Sequence, residues 1–303
     1  LAEGCASGGG VALSALAESE GTPVYVLDEG DMRARARSFV TAFGQACAQV
    51  GIDVEVYYAG KAFLSRAVAR WMHAEGLRID AASLGELTTA LSAGIPAVDV
   101  GLPGNNKSDE EIVTALSAGL GRLVLDSLPE VTRVADIAAR LGVRAPVLIR
   151  VTTGVHAGGH EYISTAHEDQ KFGLSLARGA QGDSPAMSAV LAVLDRPELD
   201  LLGLHSHIGS QILDPEGFGV ATAAVMGLRA EIAARTGVVV PELDLGGGFG
   251  VAYLPGAGAL GPERAAKATI SALAAAATEL GMPLPRVSME PGQIALMRMP
   301  RGA

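Results

Sequence analysis

Eight short apolar runs recur along the chain, most of them separated by helix-length segments, and this alternation limits the fold more than any other feature. The runs are Val54–Ala59, Arg78–Ala82, Val98–Leu102, Leu123–Asp126, Val147–Val151, Leu201–His205, Leu243–Leu245 and Val287–Glu290. Between them, Asp109–Ala118, Pro129–Leu141 and Pro262–Leu280 space their apolar residues at the helical period. Ser108 with Glu111 has the form of a capping box, and Gly119, Gly142 and Gly281 stand where left-handed C-caps belong. Strand–helix alternation repeated eight times predicts an α/β fold, a (β/α)8 TIM barrel. A doubly wound open sheet is the alternative, and the count and near-uniform spacing favour the barrel. In a barrel the chemistry gathers at the C-terminal ends of the strands.

The bulk composition suits such a core. Hydrophobic residues make up 49% of the 303 and aromatics only 4%, so the packing rests on Ala, Val, Leu and Ile. A net charge of −10 argues against non-specific attraction to nucleic acid or an anionic membrane surface. Cys5 and Cys47 form no CxxC pair and have no His at ligand spacing, so neither a disulfide scaffold nor a zinc site is expected. Two free thiols fit a cytoplasmic location. No apolar run approaches the roughly 20 residues of a membrane span, and the N-terminus lacks a signal-peptide pattern. The chain opens on Leu1 rather than Met, as a fragment would. Residues 1–20 are rich in Gly, Ala and Ser and read as loosely ordered. Thr22–Asp28 alternates like a strand, but it precedes the repeating part and so belongs outside the main sheet.

Several strand ends carry polar groups. The first ends at Lys61; a lysine desolvated in a barrel mouth has a lowered pKa and can bond an aldehyde, although a solvated surface lysine is the plainer reading. The second ends at Asp80, and the fifth contains Arg150. Ser83 and Ser108 are explained as helix caps. After the sixth come His205 and His207, two apart and so on one side of the strand. That spacing suits a metal, but no third ligand is apparent and no metal is expected; His205 reads equally well as a buried core histidine. The seventh ends in Gly246-Gly247-Gly248, a run that admits an anion close to backbone N–H groups or is merely a flexible turn. The eighth ends at Glu290, a carboxylate able to pair with a protonated ring nitrogen. A lysine for an aldehyde, glycines for a phosphate and a carboxylate for a pyridinium are the three contacts that pyridoxal 5'-phosphate (PLP) requires.

The motifs TPVYVLD, YYAGKAFL, DAASLGEL, HSHIGSQ, DLGGGFG and MEPG, in that order, resemble the fold-type III PLP-dependent decarboxylases over nearly the whole chain. GNNKSDEEI (104–112) and ISTAHEDQKFGLS (163–175) narrow the resemblance to the diaminopimelate decarboxylases. The resemblance implies that Lys61 carries PLP and that His207 stacks on its ring. It also implies that Ser210 and Gly246, Gly247 and Gly248 hold the phosphate, that Glu290 pairs with the ring nitrogen, and that Asp80 and Arg150 lie near the cofactor. Pro291, Gly292 and Gln293, which follow Glu290, are implied to bind the cofactor as well. The implied reaction is loss of carbon dioxide from meso-2,6-diaminopimelate to give L-lysine, within lysine biosynthesis and by a homodimer.

The chain also departs from the family. Gln293 stands where the family has an arginine for a substrate carboxylate, and Gln lacks the charge for that bidentate pair. Residues 293–303 resemble no family segment, as a frameshift or truncation would produce, and the family's C-terminal β domain does not follow. The expected organisation is an N-terminal segment (1–28), a PLP-binding barrel (29–292) and a non-family tail (293–303). Without a helix after the eighth strand, strands one and eight are expected to lose part of their outer cover. Two other functions fit the same residues: a homologue that binds PLP without turnover, and a related decarboxylase or racemase acting on another amino acid.

Overall fold

The computed structural model describes residues 7–155, 172–178, 182–254 and 256–290. The eight barrel strands are β1 (Val54–Ala59), β2 (Arg78–Asp80), β3 (Val100–Leu102), β4 (Arg122–Leu125), β5 (Ala145–Thr152), β6 (Leu199–Ser206), β7 (Glu242–Gly247) and β8 (Arg286–Glu290). Every neighbouring pair is parallel, and β8 pairs back onto β1 through Ser288 and Glu55. This last ladder closes the sheet and excludes the open doubly wound alternative.

Alternation within each strand sorts the residues. Val56 and Tyr58 of β1, Ile79 of β2, Leu123 and Leu125 of β4, and Val287 and Met289 of β8 point outward into one apolar layer beneath the helices. Their inward-facing neighbours are polar: Glu55 and Tyr57, Arg78 and Asp80, Arg122, His205, Glu242 and Asp244, Ser288 and Glu290. The apolar runs that mark the strands are therefore the outer halves of a barrel whose interior is largely charged.

Eight helices surround the strands: α1 (Glu29–Gln49), α2 (Arg66–Ala74), α3 (Leu84–Ser92), α4 (Asp109–Ala118), α5 (Leu128–Leu141), α6 (Pro185–Leu194), α7 (Glu216–Thr236) and α8 (Pro262–Glu279). Ser65, Ser83, Ser108 and Ser184 cap four of them, each side chain accepting from the N–H three residues on. Gly119 and Gly142 end α4 and α5 in the left-handed conformation.

Thr22–Asp28 lies outside the barrel sheet and forms no ladder among the described residues, and Tyr25 within it is 95% exposed. Two expectations need correction. Residues 7–20 are not loose: Ser7–Gly8 pairs with Val11–Ala12, and Leu13–Glu20 is helical. The cover over strands one and eight is not lost either. The helix α1, which precedes the first strand, packs between α8 and β1 and fills the place of an eighth helix. Its Met32, Ala36, Phe43 and Cys47 are buried. Burial pushes the Cys47 thiol up to about 11, so it packs as a small hydrophobe; Cys5 lies outside the described residues.

Among the described residues α7 alone is long and apolar enough to cross a membrane, by length and composition, and half of that stretch is buried inside the fold. Phe218, Val225, Met226 and Ile232 are the side chains it packs into the core.

Candidate active site

A cavity of about 610 Å³ opens at the C-terminal ends of the strands, a volume suited to a cofactor with a small substrate. Lys61, Asp80, Arg150, His207, Ser210 and Glu290 all line it. Six polar residues from β1, β2, β5, β6 and β8, or from the turns that follow them, thus meet in one place.

Lys61 stands on a one-turn 3-10 helix, Gly60–Ala62, directly after β1. The turn is fixed by the Tyr58 hydroxyl, which donates to the Phe63 carbonyl at 2.7 Å. A Cβ on Gly60 would come within 2.8 Å of the Asp80 carbonyl, so only glycine lets the turn lie this close to β2. Lys61 itself is exposed at the rim. The desolvation expected of it is therefore not supplied by the barrel mouth, because the turn holds it outside the enclosed part.

Below the rim lies a buried cluster. His205, Asp244 and Glu290 bring one ligand-type atom each to within 4.8 Å of one another, and His205 Nε2 stands 3.7 Å from Glu290 Oε1. The sequence offered no third partner for the histidine pair; the fold brings in Asp244 and Glu290 from β7 and β8 and leaves His207 outside this group. Asp244 is the site residue that sequence reasoning missed. The available signal was its place two before Gly246, which turns both to the same inner side.

The charges in this cluster are unequal. Burial raises the Glu290 carboxyl, but hydrogen bonding to His205 and Asp80, with the nearby imidazoles, outweighs it, and Glu290 is held well below the usual carboxylate range. Burial and the neighbouring charge of Glu290 push Asp80 well above that range, and burial raises Asp244 as well. Like charges this close oppose one another's ionisation, so the charge is favoured on Glu290 over Asp80 and Asp244. Gly101, paired in register with Asp80 and Arg122, makes the room: a Cβ there would strike Asp80 Oδ1.

His207 lies one residue past β6. Burial outweighs the charge of Glu290 and lowers its imidazole to about 4, so the ring is neutral at physiological pH. Its Nδ1 is buried with no hydrogen-bond partner among the described residues. Gly246, at φ +66°, backs this ring so closely that a Cβ would lie 3.2 Å from Nδ1.

The glycine run does not line the cavity itself; it stands one layer behind. Gly248, at φ +90°, packs against Gly209 and Ser210, and a Cβ there would overlap the Gly209 carbonyl. Ile212 N donates to Gly248 O at 2.9 Å, and Gly250 N donates to Ile212 O at 2.7 Å. Gln211, itself at φ +60°, clasps the Val251 backbone with both ends of its amide. The backbone after β6 and the backbone after β7 are thus locked together, leaving Gly209 and Ser210 at the surface. Phe249 anchors the far side, with ring centroids 6.0, 5.9 and 4.9 Å from Phe39, Phe43 and Phe218.

Arg150 reaches the cavity from β5, with Nη1 3.4 Å from Asp126 Oδ1 and its guanidinium over the Phe172 ring at 5.1 Å. Pro103, Gly104, Asn105 and Phe172 also form the wall; Gly104 and Asn105 belong to GNNKSDEEI and Phe172 to ISTAHEDQKFGLS, whereas Pro103 carried no distinct signal in the sequence. Pro291, Gly292 and Gln293, and most of ISTAHEDQKFGLS, lie outside the described residues.

Curated relatives match nearly the whole chain. The diaminopimelate decarboxylase of Mycobacterium tuberculosis (strain ATCC 25618 / H37Rv) is 43% identical over 288 residues, which is 94% of this chain and 62% of that protein. That of Corynebacterium efficiens is 44% identical over 291 residues, covering 96% and 61%, and that of Bacillus subtilis 39% over 285, covering 94% and 63%. The chain therefore spans about three fifths of the length of the curated relatives it matches. Among solved structures, the diaminopimelate decarboxylase of M. jannaschii in complex with L-lysine superposes with a TM-score of 0.85 at 30% identity, over 93% of this chain and 63% of that one. The Helicobacter pylori enzyme complexed with L-lysine gives 0.77 at 27%, over 92% and 65%. The family described as pyridoxal-dependent decarboxylase, pyridoxal binding domain, matches residues 29–296. On that match, which takes in the whole barrel and every polar group of its mouth, the chain belongs to the pyridoxal-dependent decarboxylases and carries their pyridoxal-binding domain.

Proposed function

We propose that this chain is the cofactor-binding barrel of a diaminopimelate decarboxylase, releasing carbon dioxide from meso-2,6-diaminopimelate to form L-lysine. The observation that carries the reading is the single cavity in which Lys61, Asp80, His207, Ser210 and Glu290 meet. The residues present fit pyridoxal phosphate on two independent features: a turn at Gly248 that a Cβ would block, and a neutral, half-buried imidazole at His207 whose buried Nδ1 has no partner among the described residues. When bound, the cofactor supplies a protonated ring that accepts the electron pair left by the departing carboxylate.

The chain's own groups divide the rest of the work. Lys61 offers the amine for the cofactor's aldehyde at the rim, where an incoming amino group can displace it. Glu290, ionised, holds a proton on the ring nitrogen through a charge-assisted bond. Asp80, whose own carboxyl burial pushes well above the usual range, helps keep Glu290 ionised through a hydrogen bond. His207, neutral, would stack on a cationic ring without repelling it. Ser210 and the backbone held by Gly246–Gly248 take the phosphate, and Pro291, Gly292 and Gln293 are assigned to the cofactor-binding set by the family resemblance alone. Segments 1–28, 29–292 and 293–303 serve as N-terminal arm, barrel and tail, and the working unit is a cytoplasmic homodimer.

A second reading has its own observations. Lys61 is exposed and Gln293 replaces the family's arginine, which favours a barrel that binds the cofactor without turnover by itself. One experiment separates the two. The chain is incubated with pyridoxal phosphate and reduced with borohydride, the labelled residue is located by mass spectrometry, and L-lysine formation from meso-diaminopimelate is assayed in parallel. Label on Lys61 with lysine produced supports the decarboxylase; label without lysine supports the binder; a folded chain without label defeats both.

A further inference from the structure

We propose that the buried Lys107–Glu130 ion pair is a positioning device for one side of the cavity, setting Gly104 and Asn105 together with Arg150 to receive a carboxylate of the substrate. The substrate part of this inference rests on the function proposed above. Lys107 follows β3 in the GNNK stretch, and Glu130 lies in the first turn of α5; each is 3% exposed. An ammonium has three N–H donors, and Lys107 directs them to Gly104 O, Val124 O and, at 3.1 Å, Glu130 Oε1. The second oxygen of Glu130 accepts from Asp126 N at 2.7 Å. Asp126 in turn stands 3.4 Å from Arg150. One ion pair therefore reaches two separate parts of the cavity lining, the loop at Gly104–Asn105 and the guanidinium of Arg150.

Stability alone does not call for a charge at this place. Taking an ammonium and a carboxylate out of water is costly, and an apolar side chain of similar volume often does as well. Burial works against the Lys107 charge and lowers its pKa, with Glu130 opposing. What an apolar side chain cannot do is direct three bonds at chosen carbonyls. The loop after β3 needs them, because β3 is only three residues long and the backbone from Pro103 onward has left the ladder. Arg133 adds a fourth tie by donating to the Lys107 carbonyl. The wall so fixed presents an amide and a guanidinium, the donors that suit a carboxylate. Meso-diaminopimelate carries two carboxylates, one of which survives the reaction.

The test compares the full chain with Lys107→Met and with Lys107→Met/Glu130→Gln, the second removing the stranded carboxylate so that lost stability and lost positioning separate. Hydrogen exchange followed by mass spectrometry is expected to quicken about tenfold or more in peptides spanning 103–106 and 124–127, in both variants. Peptides spanning 205–212 and 244–250 are expected to keep the parental rate. Affinity for meso-diaminopimelate, read from the absorbance of bound pyridoxal phosphate, is expected to fall about tenfold in both. Unchanged exchange at 103–106, or uniform acceleration across the barrel, overturns the positioning role. Fast local exchange with unchanged affinity overturns its substrate part. If the parental chain takes no pyridoxal phosphate, it is the proposed function that fails, and the exchange pattern still decides whether the pair holds the wall.

Discussion

At the residue scale the site depends on positions where a side chain must be absent or uncharged. Gly248 combines φ +90° with a backbone neighbour, the Gly209 carbonyl, where a Cβ would sit. Neither can yield, because Ile212 and Gln211 bind the two loops together. Strain of this kind costs about 1–3 kcal/mol, so Gly248→Ala is expected to weaken pyridoxal phosphate binding by about 5- to 150-fold while the circular dichroism of the barrel persists. His207 makes the complementary point about charge. Unfolded, its imidazole takes up a proton near 6.5; folded, at about 4. The folded pKa is the lower, so between these values the unfolded chain binds more protons and stability falls as the pH drops. The full amplitude is about 3 kcal/mol. In His207→Phe, the loss of unfolding free energy from near pH 7 to near pH 4.5 should shrink by an amount of that order, as measured by urea titration at both pH values; an unchanged difference would refute the burial argument. Lys61, Glu290 and the histidine pair could be read in the sequence because each ends a recognisable apolar run. Asp244 could not, since its meaning comes from His205 and Glu290, 39 and 46 residues away along the chain.

At the element scale, strand counting reads what the helices require rather than what the barrel contains. The eight runs stand out because their outward residues are apolar, and β4 and β8 match their predicted spans to within a residue. The helix α1 escaped the same count because it precedes the first strand and opens with the charged stretch Glu29–Arg37. Its buried stripe, Met32, Ala36, Phe43 and Cys47, is nevertheless at helical spacing. This helix couples the barrel's cover to its chemistry, since Phe39 and Phe43 pack on Phe249, the residue after Gly248. Phe43 is fully buried, and Phe43→Ala is expected to cost about 3–5 kcal/mol of stability. Because the cavity opens beside the glycine turn, the same variant should also bind pyridoxal phosphate more weakly, whereas a truncation of equal cost on α6, Met187→Ala, should leave affinity unchanged. Denaturant titration with a cofactor binding isotherm on each variant checks both statements.

For the whole molecule, the barrel interior is an arrangement of charge with a definite polarity. Under the carboxylates Asp80, Asp244 and Glu290 lies a layer in which Arg122 pairs with Glu55 and, at 2.6 Å, with Glu242. Arg78 meets Glu55 and Arg286 meets Glu242, both at 2.7 Å. The Arg122 guanidinium also lies 4.4 Å from the centre of the Tyr57 ring. Arg78 also meets Asp99 at 3.5 Å, so three arginines face three carboxylates in a charge-balanced layer beneath an acidic mouth. Within it, the charge of Arg122 opposes the upward push of burial on Asp80 and Asp244. A barrel filled with branched aliphatic side chains would pack as well but would offer the carboxylates no such field. Arg122 holds the arrangement together, being 3% exposed and in contact with both glutamates. Removing one partner of a buried pair costs about 3–5 kcal/mol because the other charge remains uncompensated. Arg122→Met should therefore lower the unfolding free energy by that amount, and Arg122→Met/Glu242→Gln should recover part of it. The loss should persist in high salt, since ions do not enter the barrel to screen the stranded glutamates. Urea titrations in low and high salt decide the matter. A loss that disappears in salt would place the network at the surface electrostatically, whatever its burial, and would leave Asp80 and Asp244 without the opposing charge argued for them.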